Sequence, residues 1–248
     1  MKSPDVLTRS ARVLSSALFP HHCELCKTST LTSRLPNVCD ACTDALPRIT
    51  APFCHTCHEP FDGALEETFV CPNCRGQTFT FDYNRSALRY SEKSSDLIHS
   101  LKYGKNTYLA RDLSAFLTGV ARSVMANCPE DKWAIVPIPL HWTRRFGRGF
   151  NQADELARLL RKSLNLPLYR AVRRSRRTAN QAHLRRSARQ KNLKSAFTVP
   201  LLPRSLAGQS IFLVDDVFTT GSTADACARV LRQECNAEKV IVLTVMRG

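Results

Sequence analysis

The chain has no long run of apolar residues. None of its stretches approaches the roughly 20 apolar residues that a membrane-spanning helix needs. The first 20 residues also lack the uninterrupted apolar core and the small-residue cleavage site of a secretory signal. We therefore expect a protein with no membrane span that stays in the cytoplasm.

Acidic residues are absent between Tyr169 and Phe197, where ten lysines and arginines occur. Residues 140–195 hold 16 basic and 2 acidic residues, so they carry a net charge of +14 out of the +15 of the whole chain. A charge run is usually a solvated face, but this concentration indicates a polyanionic partner, either pyrophosphate, nucleic acid or both. Aromatic residues only flank the run, although stacking on single-stranded nucleic acid would need them inside it.

Eight of the eleven cysteines form four Cys-x2-Cys pairs. Twelve residues separate the first pair from the second and thirteen separate the third from the fourth, which is the spacing of four-cysteine zinc ribbons. We expect two structural Zn2+ ions, bound by the first two pairs and by the last two pairs; an interleaved arrangement stays open. The predicted ligands are Cys23, Cys26, Cys39, Cys42, Cys54, Cys57, Cys71 and Cys74. His55 and His58 could replace a ligand, but a full set of cysteines makes this unnecessary.

Two alternatives to zinc are weaker. Four Cys-x2-Cys pairs without a thioredoxin-like βαβ context favour a metal over thiol redox chemistry, and a reducing compartment disfavours disulfides. With eight thiolates and two Zn2+ ions, residues 1–80 carry a net charge of about −5. This segment is therefore a poor phosphate-binding surface, and we interpret it as a module for protein docking or for fold stabilisation.

The remaining pattern predicts an α/β protein. Residues 1–20 read as an amphipathic helix, either docking a partner or packing on its own domain, and the second is favoured. Residues 21–80 form the double zinc ribbon. From residue 81 onward, strands at 86–90, 134–140, 211–214 and 239–246 alternate with helical patterns, which predicts a mainly parallel sheet in residues 81–248.

The segment Ile211–Thr223 predicts a ligand site. Its apolar strand delivers Asp215 and Asp216 to the carboxyl edge of the sheet, where open α/β folds bind ligands. Gly221 permits backbone angles that turn successive N–H groups toward one anion, and the following helix directs its positive end to the same place. The hydroxyl donors are Thr219, Thr220, Ser222 and Thr223. The alternative is an ordinary strand end followed by a helix that Ser222 or Thr223 caps.

A second anion site is predicted between residues 139 and 152. Arg144, Arg145 and Arg148 surround two glycines there, and guanidinium groups match phosphate oxygens bidentately. The alternative interpretation is a solvated basic turn.

The Asp-Asp and Thr-Thr-Gly-Ser-Thr elements resemble the signature of type I phosphoribosyltransferases. The resemblance implies that Asp215 and Asp216 are catalytic and meet the ribose hydroxyls of 5-phosphoribosyl 1-diphosphate. It also implies that Thr219–Thr223 wrap the 5′-phosphate, with Val217 and Phe218 in the same ligand-binding segment. The arginines of residues 144–148 would bind the diphosphate together with Mg2+, and residues 169–197 take the place of a mobile catalytic loop.

The whole chain resembles the ComF family of competence-associated proteins, for some of which the name GntX has been used. The double ribbon, Val-Pro-Ile-Pro at 136–139 and Arg-Gly-Phe-Asn-Gln at 148–152 carry this resemblance. It implies a role in natural transformation or in the use of extracellular DNA, with a helicase and a recombination mediator as partners in some relatives. Two hypotheses follow: a protein that binds phosphoribosyl diphosphate with Mg2+ and can act as a transferase, or a non-catalytic single-stranded-DNA-binding adaptor that uses residues 140–195.

Overall fold

The computed structural model describes residues 22–61, 69–104, 106–140, 150–174, 196–200 and 205–248. The helix predicted at residues 1–20 and the arginines Arg144, Arg145 and Arg148 lie outside these ranges. Within them, no helix combines the length and the apolar character that crossing a bilayer requires.

Four strands form the central sheet and two short strands form a separate pair. The central strands are β1 (Tyr83–Arg89), β2 (Trp133–Pro137), β5 (Ser210–Phe218) and β6 (Lys239–Arg247), and the short strands are β3 (Arg173–Arg174) and β4 (Phe197–Thr198). The helices are α1 (Asp40–Asp44), α2 (Glu92–Tyr103), α3 (Leu109–Ala126), α4 (Gln152–Leu164) and α5 (Ser222–Cys235).

The central sheet is parallel throughout, in the order β1-β6-β5-β2. This confirms the predicted α/β class. β5 is longer than its apolar residues predict, because β6 is equally long and pairs with it from Ser210 to Phe218. Asp215 and Asp216 therefore lie within the paired part of β5, near its carboxyl end, and not in a loop beyond the strand.

The sheet has a different hydrophobic cluster on each face. Along β5, Phe212 and Val214 pack with helices α3 and α4, whereas Ile211 and Leu213 pack with α5. This division follows from the alternation of side chains along a strand. Cys23, Cys39 and Cys42 of the first ribbon join the first cluster, whereas all four cysteines of the second ribbon join the other, so the two ribbons support opposite faces of the sheet.

The second ribbon also seals the outer edge of β1. The backbone N–H of Asn84 donates to the carbonyl of Thr56 at 2.8 Å, and that of Ser86 donates to Nδ1 of His58 at 3.0 Å. His58 is buried, and burial lowers the pKa of its imidazole to about 3, so the ring is neutral and can accept this hydrogen bond. The imidazole thus takes up a hydrogen-bond donor of the edge strand β1, which could otherwise pair with a strand of another molecule.

Candidate functional site

Asp215 and Asp216 lie at the carboxyl end of β5 and face opposite sides of the sheet. Asp215 shares the face of Leu213, and Asp216 shares the face of Val214. On its side, the Asp216 carboxylate forms an ion pair with Lys102, whose Nζ lies 3.1 Å from Oδ2. The backbone N–H of Asp216 donates to Oδ1 of Asp215 at 2.9 Å. The two carboxylates are adjacent but have different partners.

Burial raises the pKa of Asp215 to about 7, and the negative charge of Asp216 adds to this effect. The N–H of Asp216 and the cations of Lys102 and Arg174 lower the pKa of Asp215, but by less. Near neutral pH this carboxyl group is therefore poised between its protonated and ionised forms. Such a shift is common at functional sites, where burial and like charges act together.

A cavity of about 160 Å3, which we call the acidic cavity, contacts both carboxylates. Its other walls include Lys102 from α2, Pro139 after β2, and Gln152 at the start of α4. Gln152 is 2% exposed, and its Nε2 has no hydrogen-bond partner among the residues that the structure describes. A buried amide donor without a partner is costly, so a ligand in the acidic cavity would relieve it.

Asn151 fixes the end of β2, the strand that pairs with β5. This residue occupies the N-cap position of α4. Its side chain makes no capping hydrogen bond; instead Nδ2 donates to the carbonyl of Ile138 at 3.0 Å. The amide thereby ties the end of β2 to α4 and fixes one wall of the acidic cavity.

The segment from Thr219 to Thr223, which we call the ligand loop, leads from β5 into α5. Gly221 is the N-cap of α5 with φ +75°, and a Cβ there would lie 2.8 Å from Cζ of Phe218. Only glycine fits this backbone and this close approach. Gly221 has no side chain that could cap α5, and among the described residues neither Ser222 nor Thr223 provides the cap that the alternative required. The Ser222 hydroxyl pairs with that of Thr220 at 3.0 Å, and the N–H of Ser222 donates to Oγ1 of Thr220 at 3.5 Å. The ligand loop and the first turn of α5, whose N–H groups have no partner within the helix, line a small cavity of about 60 Å3.

Aromatic rings form the floor beneath the ligand loop. Phe79 and Phe81 stack with ring centroids 4.7 Å apart, and Phe81 meets Phe218 edge-on at 5.8 Å. Phe218, which the sequence assigned to the ligand-binding segment, places its side chain in this floor, while Val217 lines the small cavity above. The segment that follows the second ribbon therefore supports the loop directly.

Arg247 links the second ribbon to the ligand loop. Its guanidinium is buried, donates to the carbonyl of Phe218 at 3.2 Å and forms an ion pair with Glu59 at 2.6 Å. It also lies 3.8 Å from the Sγ of Cys57. The Arg247 guanidinium thus contacts Cys57 and Glu59 of the second ribbon and the Phe218 carbonyl just before the ligand loop.

The eight predicted zinc ligands form two clusters. Cys23, Cys26, Cys39 and Cys42 make one, Cys54, Cys57, Cys71 and Cys74 make the other, and the sulfur atoms of each cluster lie within 4.8 Å of one another. Sulfur pairs at 3.5 Å (Cys26 and Cys39) and 3.6 Å (Cys57 and Cys71) fit a tetrahedral ion with Zn–S bonds of about 2.3 Å. The sequential grouping is confirmed. Both sets are closed four-thiolate sites, so Zn2+ would organise the fold there.

The basic residues 140–195 are only partly within the described ranges. Arg144, Arg145 and Arg148 are outside them, as are residues 175–195. The two ends of the latter segment are joined by the antiparallel pairing of β3 with β4. Arg170 forms two hydrogen bonds with the Asp154 carboxylate, at 2.7 and 2.9 Å, and Arg174 lines the acidic cavity.

Two sequence families match the chain one after the other. The family described as "Double zinc ribbon domain" matches residues 14–75, and the one described as "Phosphoribosyl transferase domain" matches residues 147–248. With the parallel sheet and the two cysteine tetrads, these matches define the class: a protein of phosphoribosyltransferase-like fold with an N-terminal double zinc ribbon.

Relatives with known names narrow the class to a family. Competence protein F of Haemophilus influenzae is 31% identical over 79% of this chain and 84% of the relative. DNA utilization protein YhgH of Escherichia coli is 32% identical over 78% and 83%, and Competence protein ComFC of Bacillus subtilis is 27% identical over 85% and 84%. The chain belongs to the ComF family.

The sequence did not indicate three residues that complete the site. Lys102 belongs to no motif and lies near the end of α2. Gln152 is the first residue of α4, and Arg247 is a basic residue at the end of an apolar strand. Each becomes important only through contacts with residues far along the chain. The signal that they share is a polar residue near the end of a helix or strand that is at least partly withdrawn from solvent, and burial is not readable from one sequence.

Proposed function

We propose that this protein binds 5-phosphoribosyl 1-diphosphate at the carboxyl edge of its sheet. The observation that carries the proposal is the adjacency of two cavities. One has Asp215 and Asp216 in its wall, and the other is bounded by the first turn of α5 and the ligand loop. Asp215 and Thr223 line the acidic cavity, and both also line the small cavity. A pentose with a 5′-phosphate fits this pair of environments.

Each group of the ligand would have a defined partner. The N–H groups of the α5 first turn and the hydroxyls of the ligand loop would bind the 5′-phosphate. Asp215 and Asp216 would accept hydrogen bonds from the ribose hydroxyls. Lys102 neutralises Asp216, so the acidic cavity holds less negative charge than two free carboxylates would give and can receive an anionic ligand.

The cations of the cavity would act on the diphosphate. Arg174 and Lys102 line the acidic cavity, and Arg144, Arg145 and Arg148 follow β2 in the chain, so we assign all five to the diphosphate side. Carboxylates and phosphate oxygens are hard ligands that suit Mg2+. Bound Mg2+ would offset the charge of the leaving diphosphate. Carboxylates near C1 would stabilise a sugar cation if transfer to an acceptor takes place.

The biological setting is proposed from the names of the relatives. Competence and DNA utilization proteins among them support a role in DNA uptake or in the use of external DNA. Eight unbridged thiols are typical of a reducing compartment, and we place the protein in the cytoplasm on that ground. The family resemblance adds a helicase and a recombination mediator as expected partners.

Titration calorimetry with phosphoribosyl diphosphate and Mg2+ tests the binding proposal. We expect saturable heat with the wild type, and a loss of at least ten-fold in affinity in Asp216→Asn, because a ribose hydroxyl would lose its charged acceptor. The matched control is Asp44→Asn, which removes the same charge from an exposed position in the first ribbon. Absence of heat with the wild type, or equal losses in both variants, would refute the proposal. A separate product assay decides whether transfer follows binding.

A further inference from the structure

A further cavity of ligand size lies along β1, the strand at the outer edge of the sheet. Its volume is about 500 Å3, and it is bounded by β1 from Tyr83 to Ala87, the second half of α3 and the chain segment that joins the two ribbons. We call it the β1 groove. None of its described lining residues lines the acidic cavity, and the two cavities lie on different strands, β1 and β5. The β1 groove is therefore separate from the acidic cavity.

One face of α3 forms the long wall of the β1 groove. Phe116, Gly119, Ser123 and Asn127 recur at helical spacing and line it together. Gly119 lies in the middle of this wall, and a Cβ built on it meets no atom within 4 Å. The groove is thus open along the helix, with a hydroxyl and an amide at one end.

Two arginines face the groove, each lying over an aromatic ring. Arg48 lies 4.1 Å above the centroid of Phe116, and Arg85 lies 4.2 Å above that of Tyr83. In the part of the chain that the structure describes, neither guanidinium has a carboxylate within ion-pair distance. Arg85 donates only to backbone carbonyls, those of His55 and Asn84. Burial lowers the pKa of both arginines, which means that their positive charge is incompletely compensated.

The charge of the groove selects an anion. Its described lining residues include Arg48 and Arg85 but no aspartate or glutamate. The N-terminal segment of this chain is a poor occupant, because it carries Lys2, Arg9 and Arg12 against a single acid, Asp5, within residues 1–20. A small anionic ligand from solution fits the charge better.

We propose that the β1 groove binds a nucleoside phosphate. The phosphate would pair with Arg48 and Arg85, whose planar guanidinium groups match its oxygens. The base would lie along the apolar part of the α3 wall, with Ser123 and Asn127 as hydrogen-bonding groups at its edge. The volume is within the range of about 300–1,000 Å3 that small-molecule sites occupy.

Calorimetry with AMP on the full, zinc-loaded chain tests this inference. Gly119→Phe should fill the groove and weaken AMP binding by at least ten-fold, whereas Gly119→Ala, which adds only a Cβ into open space, should not. Arg48→Gln should weaken AMP binding by about ten-fold, because a charge-assisted contact to the phosphate is lost. Thermal unfolding of each variant shows whether the fold is retained.

The control for the location is the double variant Asp215→Asn/Asp216→Asn, which should bind AMP as the wild type does. Adenosine and inorganic phosphate should each bind at least ten-fold more weakly than AMP, because each offers only half of the ligand. The inference is overturned if AMP does not bind at millimolar concentration. It is also overturned if AMP binding is lost in the double variant but kept in Gly119→Phe, or if inorganic phosphate binds as tightly as AMP.

Discussion

The shifted pKa of Asp215 predicts that ligand binding depends on pH. A ribose hydroxyl that donates to this carboxylate favours its ionised form, so binding should tighten as pH rises through about 7. A group with this pKa is about one-tenth ionised at pH 6 and about nine-tenths ionised at pH 8, which corresponds to an affinity gain of about nine-fold, or about 1.3 kcal/mol. Lys102 lowers the pKa of Asp215, so Lys102→Met should move the midpoint to higher pH.

The assay is calorimetric titration with phosphoribosyl diphosphate and Mg2+ from pH 6 to pH 8. Phosphate groups of the ligand also titrate in this range, so Asp215→Asn is the matched control that keeps the ligand's titration and removes the protein's. We expect the extra pH dependence to vanish in this variant. If wild type and Asp215→Asn show the same slope, the reasoning about this carboxyl group is refuted.

The raised pKa of Asp215 also predicts how the free energy of unfolding depends on pH. Between pH about 4 and 7 the folded protein keeps a proton on Asp215 that the unfolded chain releases, so the free energy of unfolding should fall as pH rises through this window. Urea denaturation of the wild type and of Asp215→Asn at several pH values measures the difference. A steeper fall in the variant would contradict the assignment.

Four further outcomes are expected. Metal analysis should find about two Zn2+ per chain, and Cys74→Ser should lose one of them; fewer than one in the wild type would contradict the ribbon assignment. His58→Leu should reduce the free energy of unfolding by about 1–3 kcal/mol, because a buried N–H of β1 loses its acceptor, whereas the exposed His55→Leu should change it little. Gly221→Ala should cost about 1–3 kcal/mol and weaken ligand binding, since both its φ and the space above Phe218 exclude a Cβ; unchanged denaturation and calorimetry would contradict this. Arg247→Met should weaken ligand binding while both Zn2+ ions stay bound, because the ligand loop loses its anchor; wild-type affinity would show that the anchor is unnecessary.

Several features could be predicted because they depend on neighbouring residues. Two thiols three positions apart form a knuckle by local geometry, so the spacing predicted four knuckles and favoured their sequential grouping, while the structure decided against the interleaved arrangement. Apolar runs such as 211–214 and 239–246 predicted the two central strands, since a strand buried on both faces needs such a run. Gly221 was identified because the backbone of a tight loop requires a residue without a side chain.

Tertiary packing decided what the sequence left open. The acidic pair reads as one unit in the sequence, but pairing with β6 extends β5 through it and places the two carboxylates on opposite faces. For this reason Asp216 forms an ion pair with Lys102, whereas burial raises the pKa of Asp215. Contacts of this kind join residues distant along the chain, and they depend on strand register and helix packing, which no local pattern encodes. The sequence determined which chemical groups the protein has, and the fold determined which of them meet.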